Sequence, residues 1–331
     1  MKYLAAFALF LAACNPANGE TAFEAEAALT GDVLIVGNKQ EDTVSFIDLE
    51  SGEERTRVAT GNQPHEIAIS PDRRRAAVVA YGGTTIDIFD IANATRIDRI
   101  DISPNQRPHG LVWTPDNRLI ATTEGSSTLT IVDMDDGSVS AIPTGQRGSH
   151  MVAVNAAGTR AYVANMGSGT VSAVSLDERR KLADVEAGDT PEGLALTPDG
   201  SELWVADRDN AVLHVFDTES FDRIASITTG NFPIRVAISP DGTTAVTSNA
   251  ADGSLTLVDT ATKEVTRTIP VSGPDAVQVT IVFSEDGRTI YAAETAQSRV
   301  VAVDLESGEI IDTYAAGAGS DGLGVVRRVS E

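Results

Sequence analysis

The sequence predicts an all-β fold, a seven-bladed β-propeller whose blades are four-stranded antiparallel sheets. The first observation is a repeat, because a turn signal of the Pro-Asp, Pro-Asp-Gly or Glu-Asp-Gly type recurs about every 40–45 residues. The second is that each unit holds four short runs rich in β-branched residues, separated by Gly, Pro, Asp or Asn, as in residues 190–230. Four strands in a unit of this length are typical of a β-propeller. The turn signals begin at Pro71, Pro115, Pro198, Pro240 and Glu285.

The third strand of each unit gives the number of blades. Five of the seven third strands alternate strictly between polar and apolar residues, as a strand packed on one face should. Two positions after each strand comes an Asp, or Ser175 in one unit, that is suited to start a turn by bonding the backbone. Seven third strands predict seven blades. They are Thr43–Phe46, Thr85–Ile88, Thr128–Ile131, Thr170–Ala173, Val212–Val215, Ser254–Leu257 and Arg299–Ala302.

The two ends of the repeat array are complementary. Asp32–Asn38 has the pattern of a second strand, whereas Asp321–Val329 resembles a first strand with no second strand after it. We therefore predict that the C-terminal segment supplies the innermost strand of the first blade. This pairing would close the ring and remove the open sheet edges that otherwise promote aggregation.

Composition and charge restrict the class of partner. The 331 residues are 42% hydrophobic but only 5% aromatic, so small and β-branched side chains must do most of the packing. The formal charge of −23 disfavours nucleic acid and anionic membrane surfaces, since both require a basic footprint. We expect no nucleic-acid partner.

The N-terminus has the features of a targeting segment. Lys2 precedes an apolar stretch, Tyr3–Leu11, that is too short to span a bilayer. The following Ala12-Ala13-Cys14 resembles the lipobox of bacterial lipoproteins, in which the cysteine is lipidated and becomes the mature N-terminus. Cys14 is the only cysteine in the chain, which also excludes an intrachain disulfide.

This resemblance divides the chain into three parts. Residues 1–13 are the predicted lipoprotein signal peptide, residues 14–30 a flexible tether, and residues 31–331 the propeller. Asn15 after the cysteine favours the outer membrane by analogy with lipoprotein sorting. The expected location is thus a lipid anchor in a bacterial membrane, with the domain in the periplasm or at the cell surface.

The ends of the second strands carry a family resemblance. Tyr162-Val163-Ala164-Asn165, followed by Gly167-Ser-Gly-Thr-Val171, is similar to the Tyr-Val-Thr-Asn repeat of the YVTN β-propeller family. With the Pro-His-Gly strand starts and the Pro-Asp-Gly turns, the resemblance covers residues 32–326. It implies the propeller fold, but it implies no specific activity, because the family includes surface, periplasmic and binding proteins.

The innermost strand of each blade should line the central channel, so its first residues lie at one mouth. Three of the four histidines, His65, His109 and His150, occupy this position in consecutive blades, and Glu192 follows in the next. Imidazoles beside a carboxylate suit zinc or copper, so these four are the candidate metal ligands. The alternative is that the histidines are repeat consensus residues bonding the adjacent blade. His214 lies in a third strand and is predicted to be a surface residue. The predicted inner strands begin at Pro64, Pro108, Ser149, Pro191, Pro233, Asp275 and Ser320.

The second strands end on the same face, so their last residues should form an outer ring around this mouth. Acid and amide oxygens suit a hard cation such as calcium, and they resemble the residues used by calcium-dependent lactonases of propeller form. The alternative is that they cap the turns after the strands. On this face the candidate ligand-binding residues are Asn165, Asp207, Arg235 and Asp321. The outer ring consists of Asn38, Tyr81, Glu124, Asn165, Asp207, Asn249 and Glu294.

Catalytic motifs are missing from the sequence. Gly317-x-Gly319-x-x-Gly322 satisfies a dinucleotide pattern but precedes a predicted strand instead of a helix, and no Gly-x-Ser-x-Gly elbow occurs. The leading hypothesis is therefore a non-enzymatic scaffold that binds a protein or a small-molecule ligand at the channel mouth, with no catalytic residues and with the membrane contacted only through the lipid. One alternative is a metal-dependent enzyme of the lactonase-like hydrolase type. The other is a metal-binding or accessory protein of a periplasmic dehydrogenase. The candidate cofactor is a divalent metal, zinc, copper or calcium.

Overall fold

The computed structural model describes residues 31–327, which form seven four-stranded antiparallel sheets. The innermost strands of neighbouring sheets contact one another all the way around, so the sheets are the blades of a closed propeller. The predicted fold class is confirmed. The predicted signal peptide and tether, with the lipidation site Cys14, lie outside the described residues.

The strands of each blade are given from the channel outwards. Blade 1 contains β28 (Ser320–Val326), β1 (Val33–Asn38), β2 (Thr43–Asp48) and β3 (Glu54–Ala59). Blade 2 contains β4 (Pro64–Ile69), β5 (Arg75–Ala80), β6 (Thr85–Asp90) and β7 (Thr95–Asp101). Blade 3 contains β8 (Pro108–Trp113), β9 (Arg118–Thr123), β10 (Thr128–Asp133) and β11 (Val139–Pro143). Blade 4 contains β12 (Ser149–Val154), β13 (Arg160–Asn165), β14 (Thr170–Ser175) and β15 (Arg180–Glu186).

The remaining three blades follow the same order. Blade 5 contains β16 (Pro191–Leu196), β17 (Glu202–Asp207), β18 (Val212–Asp217) and β19 (Arg223–Thr228). Blade 6 contains β20 (Pro233–Ile238), β21 (Thr244–Asn249), β22 (Ser254–Asp259) and β23 (Val265–Pro270). Blade 7 contains β24 (Gln278–Phe283), β25 (Thr289–Glu294), β26 (Arg299–Asp304) and β27 (Ile310–Ala315). Two short 3-10 helices, Pro274–Ala276 and Thr295–Gln297, flank β24 and β25. Within residues 31–327 no helix has the length and apolarity needed to cross a membrane.

The core lies between neighbouring blades, on both faces of the two middle strands. These strands are buried almost throughout, whereas outer strands such as β3 alternate between exposed and half-buried residues. Phe46 of blade 1 packs against Phe89 of blade 2 with ring centroids 5.9 Å apart. All seven predicted third strands begin at the expected residue. Their alternation suggested packing on one face only, but the structure buries both faces between neighbouring blades.

The C-terminal strand closes the ring as predicted. Strand β28 pairs antiparallel with β1, with Val33 opposite Val326 and Val36 opposite Leu323. The loop before β28 is held as well, since the backbone N–H of Lys39 donates to the Gly319 carbonyl at 3.0 Å. The first blade is therefore built from the two ends of the described chain.

Each inner strand carries a β-bulge immediately after its first residue. In β4, Pro64 pairs with Ala80 and Ile67 with Val78, so one extra residue is inserted between these two pairs. The same shift occurs in the other six inner strands. A bulge turns successive side chains away from the ladder, which here means towards the channel.

The inner strand of blade 7 does not begin at the residue that the sequence predicted. It was predicted at Asp275, but residues Pro274–Ala276 form a 3-10 helix and the strand begins at Gln278. Val277 between them has a left-handed backbone with φ 50°. The proline starts a tight turn, and the extra residues lengthen the loop beyond the repeat pattern.

Candidate functional site at the channel mouth

The second residue of each inner strand, inside the bulge, defines a set of seven positions that we call the mouth ring. Five of them are ionisable or polar and two, in blades 6 and 7, are aliphatic. All seven are at least nine-tenths buried. In blade order from 1 to 7 the mouth ring is Asp321, His65, His109, His150, Glu192, Ile234 and Val279.

Glycines beside the mouth ring allow neighbouring inner strands to approach closely. A Cβ on Gly322 would lie 1.8 Å from the His65 carbonyl oxygen, and one on Gly110 would lie 2.9 Å from the His150 carbonyl oxygen. Thr122 bridges the same gap, because it accepts from the Gly110 N–H at 2.8 Å and donates to the His150 carbonyl. The backbone itself therefore holds adjacent mouth-ring residues in contact.

Three histidines from consecutive blades stack into what we call the histidine arc, consisting of His65, His109 and His150. The ring centroids of His65 and His109 are 3.9 Å apart, and those of His109 and His150 are 3.6 Å apart. All three are more than 90% buried. The sequence placed these residues at one mouth, and the structure brings them into direct contact.

Charged groups contact His65, the first residue of the histidine arc. His65 Nε2 lies 2.8 Å from Lys39 Nζ and 3.4 Å from an Asp321 carboxylate oxygen. Thr280 in turn donates to Asp321 at 3.2 Å. Lys39 comes from the loop between β1 and β2, so this end joins blades 1, 2 and 7.

Carboxylates hold the other end. His150 Nδ1 lies 2.5 Å from Glu124 Oε1, and its Nε2 lies 3.7 Å from Glu192 Oε1. Tyr81 donates to the second oxygen of Glu124 at 2.7 Å, while Arg208 donates to Glu192 at 2.9 Å. The imidazole of His150 is thereby oriented by a carboxylate, as in a histidine prepared for proton transfer.

An ion pair crosses the channel beside the histidine arc. Arg235 of blade 6 donates from Nη2 to Glu66 of blade 2 at 2.6 Å, and its Nη1 lies 3.7 Å from Glu192. Blades 2 and 6 are not neighbours, so this cross-channel ion pair connects opposite sides of the ring. The side chains of Arg235 and Glu66 are 7% and 10% exposed, so the charges are neutralised mainly by each other.

The pKa values of these groups diverge with their surroundings. Burial, together with the neighbouring His150 and His65, lowers the pKa of His109 well below its ordinary range, so this ring is neutral at neutral pH. Burial also lowers the pKa of His150, but the hydrogen bond to Glu124 and the negative charge of the nearby Glu192 outweigh it and the net shift is upward. Burial raises the pKa of Glu66, yet Arg235 and His65 overcome it and bring that pKa down to about 2. Two adjacent histidines shifted in opposite directions are a feature of acid–base sites.

An open depression of about 880 Å³ lies on the loop side of blades 1, 2 and 7, and its lining includes Lys39 and Asp321, which contact His65 at one end of the histidine arc. Its lining is mostly polar, and Lys39, Asp321 and Val279 connect it to the site. Amide, carboxylate and ammonium groups of this kind bind polar small molecules by hydrogen bonds.

One group of side chains has the composition of a metal site. His65, Glu66 and His109 each offer a ligand atom, and these atoms lie within 4.8 Å of one another. The predicted ligands His150 and Glu192 lie in the same cluster, but outside this group of three. Glu66, which was not among the predicted ligands, is the third member of this group.

The outer ring has a mixed role. Tyr81 and Glu124 turn towards the histidine arc, as described above. Asn165 donates to Ser172 at 2.9 Å, and Asp207 accepts from the Thr190 N–H at 3.0 Å. These two candidate ligand-binding residues therefore pin strands and loops within their own blades, whereas Arg235 and Asp321 lie at the channel mouth.

Two further residues differ from what the pattern suggested. His214 was expected on the surface, but it is 7% exposed and its Nδ1 lies 2.9 Å from Ser226 Oγ. The outer strand of its blade covers it.

Glu66 was not predicted because strand alternation would turn its side chain away from the channel. The bulge after Pro64 places it beside His65. The only sequence signal for this placement was a charged residue at the position where blades 3 and 5 have glycine.

Comparisons with known proteins agree with this fold. A family model described as "Lactonase, 7-bladed beta-propeller" matches residues 32–313. No curated protein matches the chain. The periplasmic gluconolactonase PpgL of Pseudomonas aeruginosa is a similar solved structure, with a TM-score of 0.73 and 18% identity over 90% of this chain and 99% of that one.

Two other solved structures are similar in the same way. Hydrazine synthase of Kuenenia stuttgartiensis has a TM-score of 0.70 and 16% identity over 81% of this chain and 96% of that one. A functionally unknown protein of Desulfotomaculum acetoxidans has a TM-score of 0.73 and 13% identity over 89% and 99%. At these identities the structural similarity concerns the fold alone.

Proposed function

The chain belongs to the lactonase family of seven-bladed β-propellers, and from this premise we propose that it hydrolyses a lactone at the channel mouth. The observation that carries the proposal is the His150–Glu124 pair, in which a mouth-ring imidazole is oriented by an outer-ring carboxylate 2.5 Å away. The similar fold of a periplasmic gluconolactonase supports the same choice. The lactonase-like alternative is thus favoured over a scaffold that only binds.

Lactone hydrolysis requires an activated water and a proton donor for the ring oxygen. In the proposed reaction, unprotonated His150 accepts a proton from water as the water oxygen attacks the carbonyl carbon, and Glu124 stabilises the imidazolium that forms. The proton then passes from His150 to the ring oxygen as the C–O bond breaks. The product is the open hydroxy acid, whose carboxyl group consists of the former carbonyl and the oxygen of the attacking water and releases its remaining proton to the solvent.

The rest of the mouth supplies binding and orientation. Lys39, at the other end of the histidine arc, brings a partly exposed ammonium group to the depression, where it attracts a carbonyl oxygen or the product carboxylate. The cross-channel ion pair of Arg235 and Glu66 connects β4, which carries His65, to β20 on the other side of the channel. Polar side chains of the depression suit a hydroxylated substrate.

The test is a hydrolysis assay with a panel of five- and six-membered lactones, including δ-gluconolactone and γ-butyrolactone. We expect turnover above the spontaneous rate, and a loss of about 10²–10⁴-fold in kcat/KM for His150→Gln, because general base catalysis is worth that much. Activity should also decline as the pH falls through the pKa of His150, since the base becomes protonated.

A matched control is His214→Gln, which removes a buried histidine of blade 5 that is hydrogen-bonded to Ser226. This variant should keep the wild-type activity. A wild-type protein that turns over no lactone of the panel would overturn the hydrolase proposal and return the binding scaffold to first place.

We further propose that the mature protein begins at a lipidated Cys14 and is anchored to the outer membrane. The support is the segment Leu11-Ala12-Ala13-Cys14, with Asn15 after it. We expect wild type in the membrane fraction and Cys14→Ala either unprocessed or soluble. Mature Cys14→Ala protein that still fractionates with membranes would contradict the anchor.

The YVTN character of the repeats is also a proposal, resting on Tyr162–Asn165 and the equivalent strand ends. A repeat profile built from the seven units of this chain should match YVTN units better than other propeller repeats. A better match to another repeat class would contradict the assignment of these repeats to the YVTN class.

A further inference from the structure

Each histidine of the arc has one buried ring nitrogen without a hydrogen-bond partner. These atoms are Nδ1 of His65, Nδ1 of His109 and Nε2 of His150. A buried polar atom that makes no bond destabilises a fold, and native proteins contain few of them. Two of the three atoms, Nδ1 of His65 and Nδ1 of His109, belong to adjacent rings and can share one partner.

The other nitrogens of the two terminal histidines are already engaged. His65 Nε2 contacts Asp321 and Lys39, and His150 Nδ1 contacts Glu124. A carboxylate on the far nitrogen is the usual arrangement for a histidine that binds a metal, because it fixes the ring orientation and strengthens the ligand. Asp321 can orient His65 in this way only with the ring proton on Nε2, so the Lys39 ammonium, a donor that lies 2.8 Å from the same nitrogen, must move aside when Nδ1 binds a metal.

Glu66 completes a set of ligands with His65 and His109. Their ligand atoms lie within 4.8 Å of one another, whereas two ligand atoms around one tetrahedral zinc ion at about 2.0–2.2 Å lie about 3.3–3.6 Å apart. The three side chains must therefore move closer together, by up to about 1.5 Å, to bind one ion. Arg235 occupies only Oε1 of Glu66, so the second carboxylate oxygen is the one available to an ion.

We propose that His65 Nδ1, His109 Nδ1 and a carboxylate oxygen of Glu66 bind one divalent first-row metal ion, zinc in the first place. Two imidazoles and a carboxylate suit zinc or copper, whereas calcium requires six to eight oxygens. The nearby charges of Arg235 and Lys39 oppose a cation and limit its affinity. The site goes beyond the proposed hydrolase activity, since binding requires no turnover.

The experiment measures metal binding to the full mature protein after chelation. Zinc is titrated by calorimetry, and cobalt is added as a spectroscopic probe of nitrogen and oxygen ligands. We expect one zinc per chain, a visible cobalt absorption band and no calcium binding. His109→Gln should weaken zinc binding by about 100-fold or more, since loss of a ligand exceeds the about 10–100-fold seen for second-sphere changes.

Three further variants make the result specific. Asp321→Asn keeps the size of the side chain but removes its negative charge, and it should weaken zinc binding by about 10–100-fold. His214→Gln should bind zinc as wild type does, and circular dichroism checks that each variant is folded. His150→Gln should keep the zinc while losing lactone turnover, so that the metal site and the hydrolase can fail separately. Wild type that binds no zinc, or binds it no more tightly than both His109→Gln and Asp321→Asn, would overturn the proposal.

Discussion

Truncating the chain after Gly317 is expected to abolish the cooperative unfolding of the propeller. The truncation removes β28, whose Leu323 and Val326 are 3% and 1% exposed. Burial of these two side chains alone is worth about 3–6 kcal/mol, within a domain stability of about 5–15 kcal/mol. It also uncovers β1, which is fully buried in the closed ring. Denaturant unfolding followed by circular dichroism measures the effect.

The matched control for this truncation is a chain that ends after Arg327. It keeps all of β28 and should unfold with the same midpoint and slope as the full chain. A chain ending at Gly317 that unfolds as sharply as the control would show that ring closure does not depend on β28.

Breaking the cross-channel ion pair is expected to cost about 3–5 kcal/mol of unfolding free energy. Arg235→Met removes the positive charge from between Glu66 and Glu192 and leaves both carboxylates buried without it. In the wild type, Arg235 and His65 lower the pKa of Glu66 to about 2 against the opposing effect of burial. Without Arg235 that pKa rises, and the buried carboxyl group must either stay charged without its partner or take up a proton, both of which destabilise the fold. The change is measured from urea unfolding curves of wild type and variant.

Two controls separate the buried pair from ion pairing in general. The double variant Arg235→Met with Glu66→Gln removes both charges and should recover at least half of the lost stability. Arg180→Met breaks the exposed pair with Glu178, whose side chains are 59% and 58% exposed, and should change stability by less than about 1 kcal/mol. Equal losses for Arg235→Met and Arg180→Met would mean that the cross-channel pair has no special role.

The fold was largely predictable because a repeat states the same local pattern seven times. The third strands begin where the alternation predicts, and the complementary ends of the array predicted the pairing of β28 with β1. The inner strand of blade 7 was misplaced because its preceding loop departs from the repeat. A pattern averaged over units cannot locate a feature that belongs to one unit.

The site was predictable only where it depends on equivalent positions. Their equivalent positions in the repeat were enough to predict that four residues lie at one channel mouth, namely His65, His109, His150 and Glu192. Glu66 could not be found in this way, because a bulge and not strand alternation turns it into the channel. Its pairing with Arg235, 169 residues further along the chain, depends on the channel width, which local sequence does not encode.

The mouth ring also determines how this site can change over evolution. Each of its seven positions belongs to a separate blade and lies in the equivalent bulge of its own strand, so one substitution alters the chemistry of the channel while the other six blades keep their residues. Ile234 and Val279 are the two members that carry no polar group. A histidine or carboxylate at either position would extend the polar arc into blades 6 and 7. New specificities are thus within reach of single codon changes, with the seven-bladed framework preserved.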